Sequence, residues 1–283
     1  MTEDQTTDAR PAAGNSGNDP ADIPVVILCG GMGTRLREAS ERLPKPLVDI
    51  GGRPILWHIM KHYSQHGFRR FVLCLGYKSD LIKQYFLDYR HLTSDFTLTL
   101  HGEGEPVFHT QESTEDWEIT FVETGLHTAT AGRIRRVAGY LDAPRFALTY
   151  GDGIGDVDIT SLLKLHRESG NVGTLTGVHP GSRYGEMHVQ GTTVTEFNEK
   201  PTLADGWVNG GFFVFEKSFV EDYLPDDDAV MLEHSPLQRL ARDGQLSVFE
   251  HEGFWMGMDT FRDWTELNKI WDGGNAPWKT WKD

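Results

Sequence analysis

The chain has 283 residues, 38% of them hydrophobic, and a formal net charge of −15. This length suits one large α/β domain, alone or with an appendage. The negative charge argues against binding to nucleic acid or to an anionic membrane surface. No apolar run approaches the roughly 20 residues of a membrane helix. Cys29 and Cys74 each lie in an apolar, strand-like run, so we expect buried free thiols and a cytoplasmic protein.

The first 22 residues predict a disordered tail. They contain little that a core could bury, and they lack the basic start and apolar centre of a secretion signal. Residues 23–283 are interpreted as one domain. Within it, residues from about 90 to 120 form an acidic, turn-rich insertion with short strands, and residues from about 260 to 283 form a helical, tryptophan-rich tail. That tail could lie at a subunit interface or pack back on its own domain.

The strongest local signal follows the first predicted strand. The apolar run at 25–29 predicts a buried strand, and it ends at the glycine-rich segment 30–33. Glycines allow backbone N–H groups to approach a ligand closely. Thr34, Arg35 and Lys45 add a hydroxyl group and two cations. A strand that leads into a glycine-rich, cationic loop is typical of phosphate binding in α/β proteins.

Two common phosphate-binding loops do not fit this segment. It has no Gly-Lys-Ser/Thr ending, and Leu36 occupies the third glycine position of the dinucleotide fingerprint. A dinucleotide-binding protein also needs an acidic residue about 20 positions further on. The nearest candidate, Asp49, lies in a loop of different character.

Strands and helices alternate after the glycine-rich segment. Pro54 is well placed to begin a helix that continues to His66, and 70–75 is the next buried strand. Further strands are predicted at 146–150 and 207–215, with a hairpin between them at 187–197. The order predicts an α/β fold with a Rossmann-like, doubly wound, mostly parallel mixed sheet and a small inserted β segment.

Two carboxylates are predicted to reach the ligand-binding edge of this sheet. Asp152 follows a central strand between two glycines, and Asp259 precedes the last helix. Each also has a simpler interpretation, as a turn residue or a helix cap. Ligands bind beyond the carboxyl ends of parallel strands, and carboxylates from distant positions can together hold Mg²⁺. Two further segments are placed at this edge, Glu199-Lys200-Pro201 and Asn209-Gly210-Gly211.

The glycine-rich segment resembles the signature of the sugar-1-phosphate nucleotidyltransferases, Gly-Gly-x-Gly-Thr-Arg-Leu followed by Pro-Lys-Pro. The similarity extends over nearly all of residues 23–283, and the closing Trp278-Lys279-Thr280-Trp281 is typical of the cytidylyl branch. Thr130-Ala131-Gly132-Arg133 stands where the other branches carry a different base-reading loop.

The resemblance implies roles for individual residues. Lys45, Asp152, Arg35 and Lys200 are the expected catalytic residues. The nucleotide is expected to contact Leu28, Gly30, Gly31, Gly33, Thr34, Arg35, Lys45, Gly132 and Arg133. The sugar phosphate is expected to contact Gly185, Glu199, Lys200, Asn209 and Gly210, and Mg²⁺ to contact Asp152 and Asp259.

The implied reaction transfers a cytidylyl group from CTP to a hexose 1-phosphate, with glucose 1-phosphate as the first candidate and a homo-oligomer as the expected assembly. Three alternatives stay open. The sugar or base could differ, since Ala131 and Glu186 depart from the pattern. The chain could instead be a non-catalytic, sugar-nucleotide-binding regulator. A dinucleotide-binding protein is the third alternative.

Overall fold

The computed structural model describes residues 19–33, 43–101, 104–109, 115–179 and 206–282, and the backbone of two strands between 186 and 198. The centre of the fold is a seven-stranded sheet. In spatial order, its strands are β14 (Leu246–His251), β10 (Gly173–Val178), β13 (Val208–Glu216), β8 (Arg145–Tyr150), β1 (Val25–Leu28), β4 (Arg70–Leu75) and β7 (Glu118–Glu123). Only β13 runs opposite to the other strands of this sheet.

The other strands form four two-stranded pairs. These are β2 (Asp49–Ile50) with β3 (Arg53–Pro54), β5 (Phe96–Thr97) with β6 (Val107–Phe108), β9 (Gly153–Gly155) with β15 (Trp255–Gly257), and β11 (Glu186–Gln190) with β12 (Thr193–Asn198). The helices of the described residues are α1 (Ile55–Gln65), α2 (Ser79–Leu87), α3 (Tyr89–Thr93), α4 (Thr130–Arg136), α5 (Ile159–Ser169), α6 (Ser218–Asp222), α7 (Ser235–Arg242) and α8 (Phe261–Asp272). No helix among them has the length and apolar character needed to span a bilayer.

Hydrophobic clusters cover both faces of the sheet. Val25 and Ile27 of β1 belong to the cluster that contains α1, whereas Val26 belongs to the cluster that contains Ile134 of α4. Successive side chains of a strand point to opposite faces. A strand that is buried on both faces has a continuous apolar sequence. The run at 25–29 therefore predicted a buried strand correctly. The doubly wound, mostly parallel fold is confirmed.

The domain begins slightly earlier than expected, and the chain returns to the central sheet at Glu118, after the insertion. Pro20–Asp22 form a 3₁₀ turn whose start is capped by the side chain of Asp19, so the chain joins the fold before residue 23. Residues 1–18 lie outside the described residues. In the insertion, β5 and β6 form a small hairpin, but β7 belongs to the central sheet, so the insertion ends before Glu118.

The C-terminal tail packs back on its own domain. The side chains of Trp278 and Trp281 are 1% and 5% exposed. Both lie against His58 of α1, with ring centroids 6.4 and 5.9 Å from its imidazole ring. Trp271 at the end of α8 is closer still, at 4.9 Å. Of the two interpretations of this tail, packing on the same chain is the one observed.

The buried His58 makes the stability of this packing sensitive to pH. Burial lowers the pKa of His58 to about 4, below the value of about 6.5 for an unfolded chain. Between these values the unfolded chain binds the extra proton, so stability is present above pH 6.5 and is lost as the pH falls towards 4. We expect His58 alone to remove about 2 kcal/mol from the free energy of unfolding between pH 7 and pH 5.

Urea unfolding at pH 7 and pH 5 tests this expectation. His58→Gln keeps a donor for the carbonyl of Ile50, which lies 2.8 Å from the imidazole Nε2. It should make the pH dependence less steep but not abolish it, because burial also lowers the pKa of His62 to about 4. His127→Gln at an exposed position is the matched control. An equally steep loss of stability in wild type and His58→Gln would contradict the assignment.

Candidate active site

A cavity of about 310 Å³ opens at the carboxyl ends of β1 and β8. Its walls come from the glycine-rich segment, the Lys45–Pro46 turn and two carboxylates. The residues that line it are Leu28, Cys29, Gly31, Gly33, Lys45, Pro46, Gly151, Asp152 and Asp259. The predicted edge of the sheet therefore carries the pocket, and residues predicted for nucleotide and metal meet in it.

The glycine-rich segment leaves β1 with its backbone exposed to this cavity. A Cβ atom on Gly31 would meet no atom within 4 Å, so this position faces open space. Gly33 has a φ of +58°, which side-chain-bearing residues rarely adopt, and an added Cβ would lie 3.2 Å from Lys45 Cβ. Thr34 and Arg35, which the resemblance assigns to the nucleotide, lie outside the described residues.

Lys45 reaches the cavity from a tight turn between two prolines. The 3₁₀ helix Lys45–Leu47 begins directly after Pro44, whose carbonyl accepts a hydrogen bond from the backbone N–H of Leu47. Proline fixes φ near −65° and cannot donate a hydrogen bond. The Pro-Lys-Pro motif therefore sets the backbone of this turn.

The ammonium group of Lys45 lies between the two predicted metal ligands. Its Nζ donates to Asp152 Oδ2 at 2.6 Å and to Asp259 Oδ1 at 2.8 Å. Burial lowers the pKa of Lys45, but the charges of Asp152 and Asp259 and the hydrogen bonds to them outweigh burial and raise it. The lysine is therefore a fixed cation at neutral pH.

Backbone pairing brings the two carboxylates together. After β8 the chain turns at Gly151 and Asp152 and forms β9, which pairs with β15 so that Gly153 lies opposite Gly257. The N–H of Met258 then donates to the carbonyl of Asp152 at 2.8 Å. These bonds place Asp152, just before β9, beside the residues that follow β15, which include Asp259.

Asp263 fixes the backbone on the Asp259 side. Its Oδ2 accepts from the N–H groups of Asp259 and Thr260 at 3.0 and 2.8 Å, and Thr260 Oγ1 accepts from the N–H of Asp263 at 3.2 Å. This capping box begins α8. The sequence analysis did not single out Asp263, although Thr-x-x-Asp ahead of an apolar helix is a recognisable signal.

The two carboxylates fit a divalent cation. In the described part of the chain no group of three or more His, Cys, Asp or Glu residues is arranged for metal binding. Asp152 and Asp259 nonetheless hold a cation already, the ammonium of Lys45. Hard divalent cations are commonly held by one or two carboxylates together with phosphate oxygens of the substrate. The site has this donor set once a nucleotide is bound.

Arg133 lies beneath the glycine-rich segment rather than on its surface. The residue is 5% exposed. Its guanidinium group donates to the carbonyls of Gly30 and Leu75 at 3.1 Å, to that of Leu126 at 3.4 Å, and to Thr124 Oγ1 at 2.7 Å. A Cβ atom on Gly30 would come within 1.9 Å of its Nη1. The arginine therefore joins the ends of β1, β4 and β7.

The neighbouring Gly132 is also enclosed. A Cβ atom at this position would come within 2.8 Å of Thr128 Cγ2 and 3.0 Å of Asp228 Cα. The segment around Asp228 caps the start of α4, since its carbonyl accepts from the N–H of Ala129 at 2.7 Å. Gly132 and Arg133 thus place α4 behind the glycine-rich segment.

The start of β13 carries those residues of the predicted sugar site that the structure describes. Asn209 Oδ1 accepts from the N–H of Gly211 at 3.0 Å, and the carbonyl of Gly210 accepts from Trp255 Nε1 at 2.7 Å. Trp255 of β15 therefore links the predicted sugar site to the strand before Asp259, a contact that no sequence motif indicated. Gly185, Glu199 and Lys200 lie outside the described residues.

Comparisons with known proteins identify the family. The family model described as Nucleotidyl transferase matches residues 24–272. The chain is 46% identical over 258 residues to a glucose-1-phosphate cytidylyltransferase of Salmonella typhi, covering 91% of this chain and 99% of that protein. It is 46% identical over 256 residues to a probable glucose-1-phosphate cytidylyltransferase of Bacillus subtilis, covering 90% and 99%.

A solved structure supports the fold. The crystal structure of HddC from Yersinia pseudotuberculosis superposes with a TM-score of 0.64 at 24% identity, covering 88% of this chain and 99% of that one. The chain therefore belongs to the nucleotidyl transferase family, on the branch that includes the glucose-1-phosphate cytidylyltransferases.

Proposed function

We propose that this protein transfers a cytidylyl group from CTP to α-D-glucose 1-phosphate, giving CDP-glucose and pyrophosphate. An oxygen of the sugar phosphate forms a bond to the α-phosphorus of CTP. The bond from that phosphorus to the bridging oxygen of the β-phosphate breaks in line, and pyrophosphate leaves with the electron pair. The observation that carries the proposal is the pairing of Lys45 with Asp152 and Asp259 beside an open glycine-rich segment.

The main physical task is to bring two anions together. Phosphates repel each other, so a site for this reaction has to neutralise charge and align the reacting groups. Lys45 supplies a positive charge in the cavity, and the N–H groups of 30–33 can donate to phosphate oxygens. From the family resemblance, we assign Arg35 to the triphosphate and Lys200 to the sugar phosphate.

We assign the metal site to Asp152 and Asp259, with Mg²⁺ as the ion. When bound, the ion neutralises phosphate charge and orients the oxygens of the reacting groups. The attacking phosphate loses its second proton near pH 6 or so. A general base is therefore not required, and no histidine is assigned to the chemistry.

The sugar and the base are assigned to opposite sides of the cavity. Asn209 and Gly210 at the start of β13, together with Gly185, Glu199 and Lys200, are proposed to contact the hexose 1-phosphate. The cytosine is proposed to lie near α4, which carries Gly132. Arg133 is proposed to support this region from beneath, because its guanidinium already binds the backbone there.

The competing proposal is a regulatory relative that binds a sugar nucleotide without turning it over. Such a protein would be free to lose its catalytic residues. Here Lys45, Asp152 and Asp259 are all present, and they lie within hydrogen-bond distance of one another. This arrangement favours the enzyme.

Assembly and location are also proposals. Exposed apolar side chains of residues 87–107 would be buried by a second copy of the chain, which supports a homo-oligomer. They are Leu87, Leu92, Leu98, Leu100 and Val107. Two buried free cysteines fit the reducing cytoplasm.

Pyrophosphate release in Mg²⁺ tests the proposed reaction. We expect turnover with CTP and glucose 1-phosphate, and little with UTP, dTTP, ATP or GTP or with other hexose 1-phosphates. Turnover with CTP and another sugar would keep cytidylyl transfer and reject glucose. An absence of release with every pair, from protein shown to be folded, would favour the regulatory relative.

A further inference from the structure

Four side chains connect the two sides of the cavity behind Asp152. Asn209 Nδ2 donates to the hydroxyl oxygen of Tyr150 at 3.2 Å, and the Tyr150 hydroxyl donates to Glu233 Oε1. Glu233 Oε2 in turn accepts from Thr130 Oγ1 at 3.1 Å. We name this set the Tyr150 bridge. It runs from the start of β13 to the first residue of α4.

The backbone keeps Tyr150 in this position. Tyr150 is the last residue of β8, two residues before Asp152. Its ring lies over Gly211, where a Cβ atom would come within 2.5 Å of Tyr150 Cδ2 and where φ is +86°. Any larger residue at 211 would displace the ring, so the glycine makes room for the tyrosine.

Each end of the bridge is tied to backbone as well. Asn209 Oδ1 accepts from the N–H of Gly211 at 3.0 Å, which fixes which end of the amide faces Tyr150. Thr130 Oγ1 accepts from the N–H of Leu232 at 2.7 Å. Rotation of Asn209 or withdrawal of Glu233 therefore breaks more than one hydrogen bond.

We propose that the Tyr150 bridge positions Asn209 for the sugar and α4 for the nucleotide at the same time, so that one hydroxyl group orients both substrate sites. This inference rests on the proposed assignment of Asn209 to the sugar and of α4 to CTP. Asn209 Nδ2 has two protons, and the bridge uses one, which leaves the other to donate to a sugar hydroxyl. Tyr150 is a positioning residue that acts through its two partners.

Removal of the hydroxyl group tests the bridge. The hydrogen bond from Asn209 to Tyr150 joins two neutral groups, so we expect Tyr150→Phe to raise the KM for glucose 1-phosphate about twofold to tenfold. The KM for CTP should rise in the same variant. Asn209→Ala should raise the KM for glucose 1-phosphate and leave that for CTP near the wild-type value. Tyr140→Phe, exposed at the opposite edge of the sheet, is the matched control.

The double variant separates positioning from general damage. If Tyr150 acts on the sugar through Asn209, then Tyr150→Phe should add no further increase to the KM for glucose 1-phosphate once Asn209 is Ala. Fully additive increases would overturn the bridge. Thermal melting of each variant establishes that it is folded, and titration calorimetry with CTP gives a readout that does not depend on turnover.

Glu233 provides a second, independent pair of variants. Glu233→Ala removes the acceptor for Tyr150 and Thr130, and it should reproduce the KM changes of Tyr150→Phe. Glu233→Gln keeps an acceptor oxygen for Tyr150, so its KM values should lie between those of wild type and those of Glu233→Ala. Unchanged KM values in both Glu233→Ala and Tyr150→Phe would overturn the inference.

Failure of the bridge is distinguishable from failure of the assigned function. If Asn209→Ala raises the KM for glucose 1-phosphate but Tyr150→Phe does not, the assignment stands and the bridge is rejected. If Asn209→Ala leaves that KM unchanged, Asn209 does not bind the sugar, and both the assignment and the bridge are rejected.

Discussion

Asp152→Asn is expected to lower kcat by about a thousandfold or more while the protein remains folded. Asp152 Oδ2 lies 2.6 Å from Lys45 Nζ in the cavity, and the same carboxylate is proposed to bind Mg²⁺. The amide keeps the shape but loses the charge, and removal of one preorganised electrostatic contact commonly costs a factor of about 10²–10³ in kcat. We expect a larger loss here because metal and lysine both depend on this group.

Pyrophosphate release at saturating CTP and glucose 1-phosphate measures this effect. Asp142→Asn is the matched control, because Asp142 pairs with Arg70 at 2.8 Å near the other edge of the sheet. The control should keep wild-type kcat and melt within a few degrees of wild type, since exposed ion pairs contribute about 0–1 kcal/mol. Asp152→Asn should also remain folded, because Lys45 keeps Asp259 as a charged partner. Asp152→Asn with near-normal turnover in Mg²⁺ would remove this residue from the metal site.

Simple rules for parallel sheets predicted where much of the candidate site would lie in the fold. The rule that ligands bind beyond the carboxyl ends of parallel strands placed the glycine-rich segment and Asp152 together, because β1 and β8 are neighbours in the sheet. The continuous apolar run at 25–29 gave the correct central strand, since it is buried on both faces. These features depend on local sequence and on the sheet as a whole.

The route of Asp259 into the site was less predictable. It depends on β9 and β15, two strands of three residues each that contain Gly153, Gly155 and Gly257. Glycine has low β propensity, and strands this short have no measurable alternation. The position of Asp259 ahead of the last helix indicated that it could join Asp152, but no pattern of the residues indicated the strand pairing that brings the two together.

Side-chain direction was the hardest feature to predict. The resemblance placed Arg133 by the base, and nothing in the sequence indicated that its guanidinium would bind the carbonyl of Gly30. The bridge through Tyr150 and Glu233 joins residues that are 83 positions apart. Such contacts depend on how loops from distant parts of the chain meet at one edge of the sheet.

Lys45→Gln is expected to strengthen metal binding and to weaken catalysis. In the free protein the Lys45 ammonium lies 2.6 and 2.8 Å from the carboxylate oxygens of Asp152 and Asp259, which is the position that a shared divalent cation would take. Two cations cannot occupy it together, so Mg²⁺ bound at the proposed site would have to displace the lysine. Removal of that competing charge should make Mg²⁺ bind about tenfold more tightly in the absence of nucleotide, a change of about 1.4 kcal/mol.

The same substitution should lower kcat by about 10²–10³, because the cavity loses a cation that faces the phosphates. Titration calorimetry with Mg²⁺ and no nucleotide measures the first effect, and pyrophosphate release measures the second. Lys61→Gln is the matched control, since Lys61 pairs with Glu115 at 2.7 Å outside the cavity. Tighter Mg²⁺ binding together with slower turnover requires Lys45 to occupy the two carboxylates in the free protein and to act on the phosphates in the complex. Unchanged or weaker Mg²⁺ binding in Lys45→Gln would mean that the ion binds without displacing the lysine.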